Sequence, residues 1–256
     1  LNRNFHDPDD GEHPDGNNWQ AETIAMMTLA ESRTFVMSAN FHGGAELVNY
    51  PWDTWSARHP DNDWYIDISR AYATSAQNHS PSGYFTDQNN GITNGWDWYT
   101  TTGNRQDYMN YFHGCRETTI EMSWVKLVSE DKLDDHWNYN RDALLGYMES
   151  CYTGIYGKVT SDDGSPATDA LVDIVEYAGT GSTVRTDPID GRFTRLLLPG
   201  TYSAIVEAPF HLPDTIENIT VTDDSLTSLT ISLNPLGRGA LTGQIFLSDT
   251  VDFSGI

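Results

Sequence analysis

Apolar and polar positions set up a helical rhythm early in the chain and a strand rhythm late in it. Residues 19–31 have helical spacing, with Asn17 or Asn18 as cap and Glu22 in the first turn. Ala21, Ile24, Ala25, Thr28 and Leu29 would form the apolar stripe of that helix. Residues 34–41 (TFVMSANF) are a short apolar run of the kind a buried strand shows. Residues 63–77 read as a second helix. Residues 79–95, rich in Asn, Gly, Ser and Pro, read as a long surface loop. Residues 117–125 (ETTIEMSWV) alternate as a strand. Residues 131–152 read as a closing helix with Leu144, Leu145, Tyr147 and Met148 on its apolar side. Strands interleaved with helices predict an α/β unit, a mixed sheet flanked by helices.

The rhythm changes after Cys151. Six runs (GIYGKV, ALVDIVEY, RFTRLLL, TYSAIVEA, ENITVT and LTSLTISL) are separated by turn sequences such as DDGSP, AGTGS and DPIDG. Short strands punctuated by Gly, Pro and Asp predict an all-β sandwich. The domain reading is therefore residues 1–152 for the α/β unit and 153–233 for the sandwich. Residues 234–256 read as a linker (NPLGRGA) and the start of a further, truncated β-module.

Composition narrows the partners. The chain has 256 residues, 38% of them hydrophobic and 12% aromatic, enough apolar material for packed cores. Its formal net charge of −23 disfavours nucleic acid and anionic membranes as partners. The charge is scattered, as a solvated surface requires, and it also suits cationic substrates. No stretch is long and apolar enough to span a bilayer. Two cysteines, Cys115 and Cys151, are either free or bridged to each other. No C-x-x-C pattern exists for a cysteine-ligated zinc site.

Three residues carry chemical interest on their own. His42 follows an apolar run and precedes Gly43 and Gly44, where an imidazole is sterically free to hold a metal or a substrate, or simply to hydrogen-bond. Glu121 lies between Ile120 and Met122, and a carboxylate buried in a strand is costly unless paired or functional. Arg3 between two asparagines is either a surface residue or an anion grip.

Taken together, five segments in order (NRNF, HGG, NYP-x-D, GITNG-x-x-WY and T-I-E) resemble the zinc metallocarboxypeptidases of the carboxypeptidase N/E type. The resemblance runs over about residues 1–233 and includes a trailing transthyretin-like β-sandwich. It implies that His42 is the third ligand of a Zn2+ ion. It implies that Glu121 is the general base that takes the proton from the attacking water and passes it to the leaving amine. Asn2 and Arg3 match the pair that grips the terminal carboxylate of a peptide, for which a planar guanidinium fork is suited. Tyr99, 22 residues before Glu121, matches the mobile tyrosine that closes over substrate, a role for which Tyr108 and Tyr111 are neighbouring competitors. Asp53 and Gln106 match positions that hold a C-terminal Lys or Arg side chain in basic-specific members, although Asp53 could also simply cap a turn after Pro51. The partners implied are peptide or protein C-termini, and the localisation implied is secreted or cell-surface.

The sequence also departs from that pattern. The family's first two zinc ligands come from an H-x-x-E motif ahead of NRNF, and no H-x-x-E occurs here. His6 and His13 lie in an Asp/Pro/Gly-rich stretch without matching spacing. A further catalytic arginine expected upstream is missing too. The expectation is an N-terminally truncated catalytic domain that binds zinc weakly and is inactive as given, from an active parent. The alternatives are a non-catalytic peptide-binding protein on the same scaffold, and a carbohydrate or adhesion module built on the β region.

Overall fold

The computed structural model describes residues 2–237, so the β-module expected beyond residue 240 lies outside the described residues. The first unit is built on a four-stranded mixed sheet of order β1-β4-β2-β3. Its strands are β1 (Met37–His42), β2 (Ala45–Tyr50), β3 (Ile92–Asn94) and β4 (Arg116–Ser123). β4 runs parallel to β1 and antiparallel to β2, and β3 runs parallel to β2. The helices are α1 (Ala21–Glu31), α2 (Asn62–Asn78), two four-residue turns α3 (Asp87–Asn90) and α4 (Gly95–Trp98), α5 (Arg105–His113) and α6 (Leu133–Glu149).

α2 closes one face of the sheet because Trp64, Tyr65, Ile68, Tyr72, Ala73 and Ala76 fall on one helical side. They pack with Val48, Ile92 and Ile120 of the strands and with Ala143 and Tyr147 of α6. The polar Asn140 of α6 is buried in this layer, where it accepts from Tyr72 Oη at 2.9 Å and donates to Tyr84 Oη at 2.7 Å. A second core joins α1 and α5 through Met27, Ala30, Tyr108 and Met109, with Phe5 and Cys115.

Three sequence expectations differ from the structure. α1 buries Thr23, Met27 and Ala30, while Ile24 and Leu29 of the expected stripe are 48% and 46% exposed. The helix is apolar on more than one side, and the packing against α5 selects the other side. On α6 the buried line is Asn140, Ala143 and Tyr147, and Leu145 and Met148 face outward. The loop expected over 79–95 contains α3 and β3, and β2 and α5 were not anticipated at all. Both cysteines are free, and burial pushes the Cys115 thiol up to about 12.

The second unit is the expected β-sandwich. One sheet has the order β10-β9-β6-β7 and the other β11-β5-β8. The strands are β5 (Gly154–Ser161), β6 (Leu171–Ile174), β7 (Val184–Arg185), β8 (Arg192–Leu196), β9 (Gly200–Glu207), β10 (Asp214–Val221) and β11 (Leu226–Leu233). Strand alternation turns Tyr202, Ala204 and Val206 of β9 inward against Ile155, Val159, Phe193 and Ile231.

A buried ion cluster joins the two units. Asp61, just before α2, meets Arg116 of β4 at 2.6 Å and Arg195 of β8 at 2.5 Å. All three are at most 2% exposed. Burial raises the Asp61 carboxyl, but the guanidinium groups of Arg116 and Arg195 outweigh it and hold the group at about 2. Arg116 Nη2 also donates to the Ser182 carbonyl of the sandwich at 2.8 Å.

Candidate active site

Sheet register assembles the centre of the site. β1 and β4 run parallel with His42 opposite Glu121, so an imidazole and a carboxylate emerge side by side at the same strand ends. His42 Nδ1 lies 3.5 Å from Glu121 Oε1. Glu121 Oε2 is buried and meets no hydrogen-bond donor among the described residues. A buried carboxylate oxygen without a donor is unfavourable in a resting protein and is the mark of a group set to receive a proton or a ligand.

A cleft of ≈ 550 Å³ opens over this pair, lined by Asn2, Arg3, His42, Glu121 and Tyr99 together with Trp98 and Lys126. Five of the seven residues singled out from the sequence therefore share one cavity. Arg3 is exposed, and its guanidinium donates to the Asn2 carbonyl. Tyr99 follows α4, is 48% exposed and stacks edge-on against Trp98. Tyr108 is buried in the α1–α5 core and Tyr111 packs against Trp52 and Trp55, so neither faces this cleft.

Asp53 and Gln106 are brought together, but neither lines this cleft. Asp53 Oδ1 accepts from Asn49 Nδ2 at 2.9 Å and from Gln106 Nε2 at 3.2 Å. Those two bonds fix the amide orientations, which leaves Asn49 Oδ1 and Gln106 Oε1 buried and facing no donor among the described residues. Gly95 makes this arrangement possible, because a Cβ there would overlap the Asp53 carboxylate. Beneath it, the Asp107 carboxylate accepts the amide N–H groups of Asp53 and Thr54 at 3.0 and 2.9 Å. Burial, and next the charge of Asp107, push the Asp53 carboxyl well above the carboxylate range, while Asn49, Arg3 and Gln106 pull it back. Burial pushes Asp107 up as well, against the pull of the Thr54 and Asp53 amides. Asn49, Asp107 and Lys126 were not singled out from the sequence. Asn49 lies within the NYP-x-D motif, but an isolated Asn or Asp near a turn carries no distinguishing signal.

Zinc is tested against these side chains. His42 fits a ligand by chemistry and position, since it is an imidazole at a strand end beside a carboxylate free of other donors. Among the described residues no group of three His, Cys, Asp or Glu side chains is placed to hold a metal ion. A catalytic zinc takes three protein ligands and keeps a fourth position open. The residues present therefore fit one corner of such a centre and do not close it.

The zinc carboxypeptidase family profile matches residues 1–143, and the carboxypeptidase regulatory-like domain profile matches residues 154–234. Carboxypeptidase M of Mus musculus is 34% identical over 243 residues, covering 90% of this chain and 51% of the relative. The carboxypeptidase N catalytic chain of Mus musculus is 33% identical over 254 residues, covering 89% of this chain and 54% of the relative. Carboxypeptidase D of Homo sapiens is 34% identical over 231 residues, covering 84% of this chain and 16% of that much longer protein. The chain thus spans about half the length of the first two relatives. With the family profile covering the whole of the cleft, the chain belongs to the zinc carboxypeptidase family and carries that family's regulatory-like β-sandwich behind its α/β unit.

Proposed function

We propose that this chain supplies the rear half of the active centre of a zinc-dependent exopeptidase, which removes single C-terminal Lys or Arg residues from peptides or proteins. The observation that carries the reading is the pairing of His42 and Glu121 at the floor of a cleft whose rim holds Asn2, Arg3 and Tyr99. Arg3 and Asn2 bind the substrate's terminal carboxylate, which confines cleavage to the last peptide bond. Glu121 takes a proton from the attacking water on its free Oε2 and delivers it to the leaving amine. Tyr99 swings over the bound residue and excludes bulk water. His42 would serve as one zinc ligand, with the remaining ligands supplied from elsewhere in the full-length protein. Zinc, when bound, makes water acidic enough to attack near neutral pH and polarises the scissile carbonyl.

The preference for a cationic side chain rests on the Asp53 group. A carboxyl and two acceptor-only carbonyls, all buried, reward an ammonium or guanidinium and reject an apolar side chain that would leave them unpaired. Membership of this family supports a secreted or cell-surface protein. Among the described residues no helix is long and apolar enough to cross a membrane. The chain alone is expected to bind zinc weakly and to turn over little substrate.

The test uses the full-length zinc-loaded protein with peptides ending in Lys, Arg, Leu or Phe. Faster hydrolysis of the Lys and Arg peptides is expected, with turnover abolished by Glu121→Gln while zinc content is unchanged. Near-normal turnover by Glu121→Gln refutes its role as base. A preference for Leu or Phe refutes the roles of Asp53 and Gln106. Binding of peptide C-termini without any turnover by the wild type would favour the non-catalytic alternative.

A further inference from the structure

The segment that carries Asp53 runs from Pro51 to Asp61 between β2 and α2, and it is held from two sides. From the inside, Asp107 takes the amides of Asp53 and Thr54, and Asp7 Oδ2 accepts from Thr54 Oγ1 at 3.1 Å. The outside of the segment is covered by the β-sandwich, through residues 179–182 ahead of β7. Trp52, the residue before Asp53, is 1% exposed, and Gly181 lies against its indole. A Cβ at Gly181 would come within 2.6 Å of Trp52 Cη2 and Cζ2, and the backbone there has φ +85. The Gly181 carbonyl accepts from His59 Nε2 at 3.2 Å, and His59 in turn packs on Trp52 with ring centroids 4.8 Å apart. Gly179 sits equally close on Pro60, where a Cβ would meet the ring at 2.7 Å. Arg195 clamps Asp61 at the end of the segment. Trp52, His59, Pro60 and Asp61 of the segment thus each meet the second domain.

We infer that residues 179–182 of the β-sandwich act as a positioning element for the Asp53 pocket, so that the sandwich sets substrate specificity as well as stability. The inference rests on the reading of Asp53 as the group that receives a basic side chain. Trp52 is the mechanical link. Its indole cannot move away from the sandwich without carrying the Asp53 peptide, whose N–H and C=O are fixed to Asp107 and to the Thr101 amide. A tightly packed interface transmits displacement because it has no free volume to absorb it. A catalytic or binding group displaced by about 1 Å can lose on the order of a hundredfold in rate.

The experiment compares four versions of the full-length zinc-loaded enzyme on matched peptides ending in Arg and in Leu. Gly181→Ala should raise KM for the Arg peptide about tenfold and shrink the Arg-over-Leu preference, with kcat within about twofold of wild type. Adding Trp52→Phe, which removes the indole atoms nearest the new methyl group, should restore KM. Val172→Ala, a cavity in the sandwich core, should lower the thermal midpoint and leave KM alone. The inference is overturned if Gly181→Ala leaves KM unchanged, or if Val172→Ala shifts KM as much. Should Gly181→Ala fail to fold, Gly179→Ala against Pro60 carries the same KM test. A wild type with no preference for Arg over Leu overturns the specificity reading itself. A wild-type preference that Gly181→Ala does not move overturns only the role of the sandwich.

Discussion

His59 should give the junction between the two units a steep dependence on acid. Its Nδ1 accepts the Asp61 amide N–H at 3.0 Å, which places the proton on Nε2, and Nε2 donates to the Gly181 carbonyl. The neutral ring is thereby satisfied at both nitrogens in a site closed to solvent. Protonation would set a second N–H against an N–H donor, next to two guanidinium groups. Burial first, and then the charges of Arg116 and Arg195, outweigh the nearby Asp61 carboxylate and hold the imidazole at about 3, against 6.5 for an unperturbed histidine. The sign follows from linkage. The folded value is depressed, so the unfolded chain takes up the proton first, and stability is lost as pH falls below the unfolded value. At pH 5 the loss is about 2 kcal/mol relative to neutral pH, and at pH 3 about 4 kcal/mol. Asp61 does not contribute in the upper part of this range. Its carboxyl is held at about 2, so its share is present above the ordinary aspartate value and is lost only as pH falls toward 2.

The measurement is urea unfolding at pH 7 and pH 5 for the wild type and for His59→Asn, which keeps an acceptor for the Asp61 amide and does not titrate. The wild type should lose about 2 kcal/mol more than the variant between the two conditions. Parallel losses would refute the account. They would mean that His59 is protonated in the folded state or that the ring is open to water.

Removing Asp61 should cost far more than removing either arginine: Asp61→Ala strands two buried guanidinium groups and should lower unfolding free energy by about 3–5 kcal/mol, while Arg195→Met leaves a balanced Arg116–Asp61 pair and should cost clearly less in the same titration. Equal costs would show that the cluster is not dry. Asp53→Asn should raise KM for Arg-ending peptides by at least about tenfold while leaving Leu-ending peptides within about threefold, and an equal effect on both would place Asp53 in structure and not in recognition. Asp107→Asn removes a negative charge that raises Asp53, so the acid limb of kcat/KM on Arg-ending peptides should move to lower pH; movement to higher pH would reverse the assigned sign.

What the sequence disclosed depended on whether a segment's role was written in its hydrophobic pattern. The sandwich strands were legible because each alternates and ends on Gly, Pro or Asp. β2 was not, because Ala45–Tyr50 is buried on both faces and its AELVNY pattern shows no alternation. α5 was hidden for a different reason. It buries Gln106, Asp107 and Asn110, polar residues that an apolar-stripe criterion assigns to the surface. Their burial is made tolerable by specific bonds, such as Asn110 Nδ2 to the carbonyls of Gln106 and Glu117, both at 2.9 Å. Local rules failed where the chain builds a polar pocket, as expected for a functional site. The cleft residues were legible through motif order, while Asn49 and Asp107 became visible only when the fold brought them to Asp53. The interface loop was invisible in sequence because its key residue is a glycine in a run of turn residues, AGTGS.

The acidic surface and the acidic pocket do different work. A net charge of −23 spread over the exterior attracts any cation, acts through solvent and is screened over about 8 Å at physiological ionic strength. It can hasten the arrival of a basic C-terminus but cannot tell Lys or Arg at the last position from the same residue further in. The proposed site would make that distinction by construction. In the function proposed above, Arg3 and Asn2 at the cleft take only a terminal carboxylate, and Asp53 with the Asn49 and Gln106 carbonyls, which meet no donor among the described residues, takes only a donor-rich cationic tip. Arg3 also acts on Asp53 directly, pulling its carboxyl back toward ionisation. On that proposal, a bound substrate carboxylate would neutralise Arg3 and weaken that pull, while the incoming ammonium or guanidinium would supply a new one. The two halves of such a substrate would therefore be read together, and the cationic side chain would have to do more than fit: it would have to replace the charge that the terminal carboxylate had taken out of play.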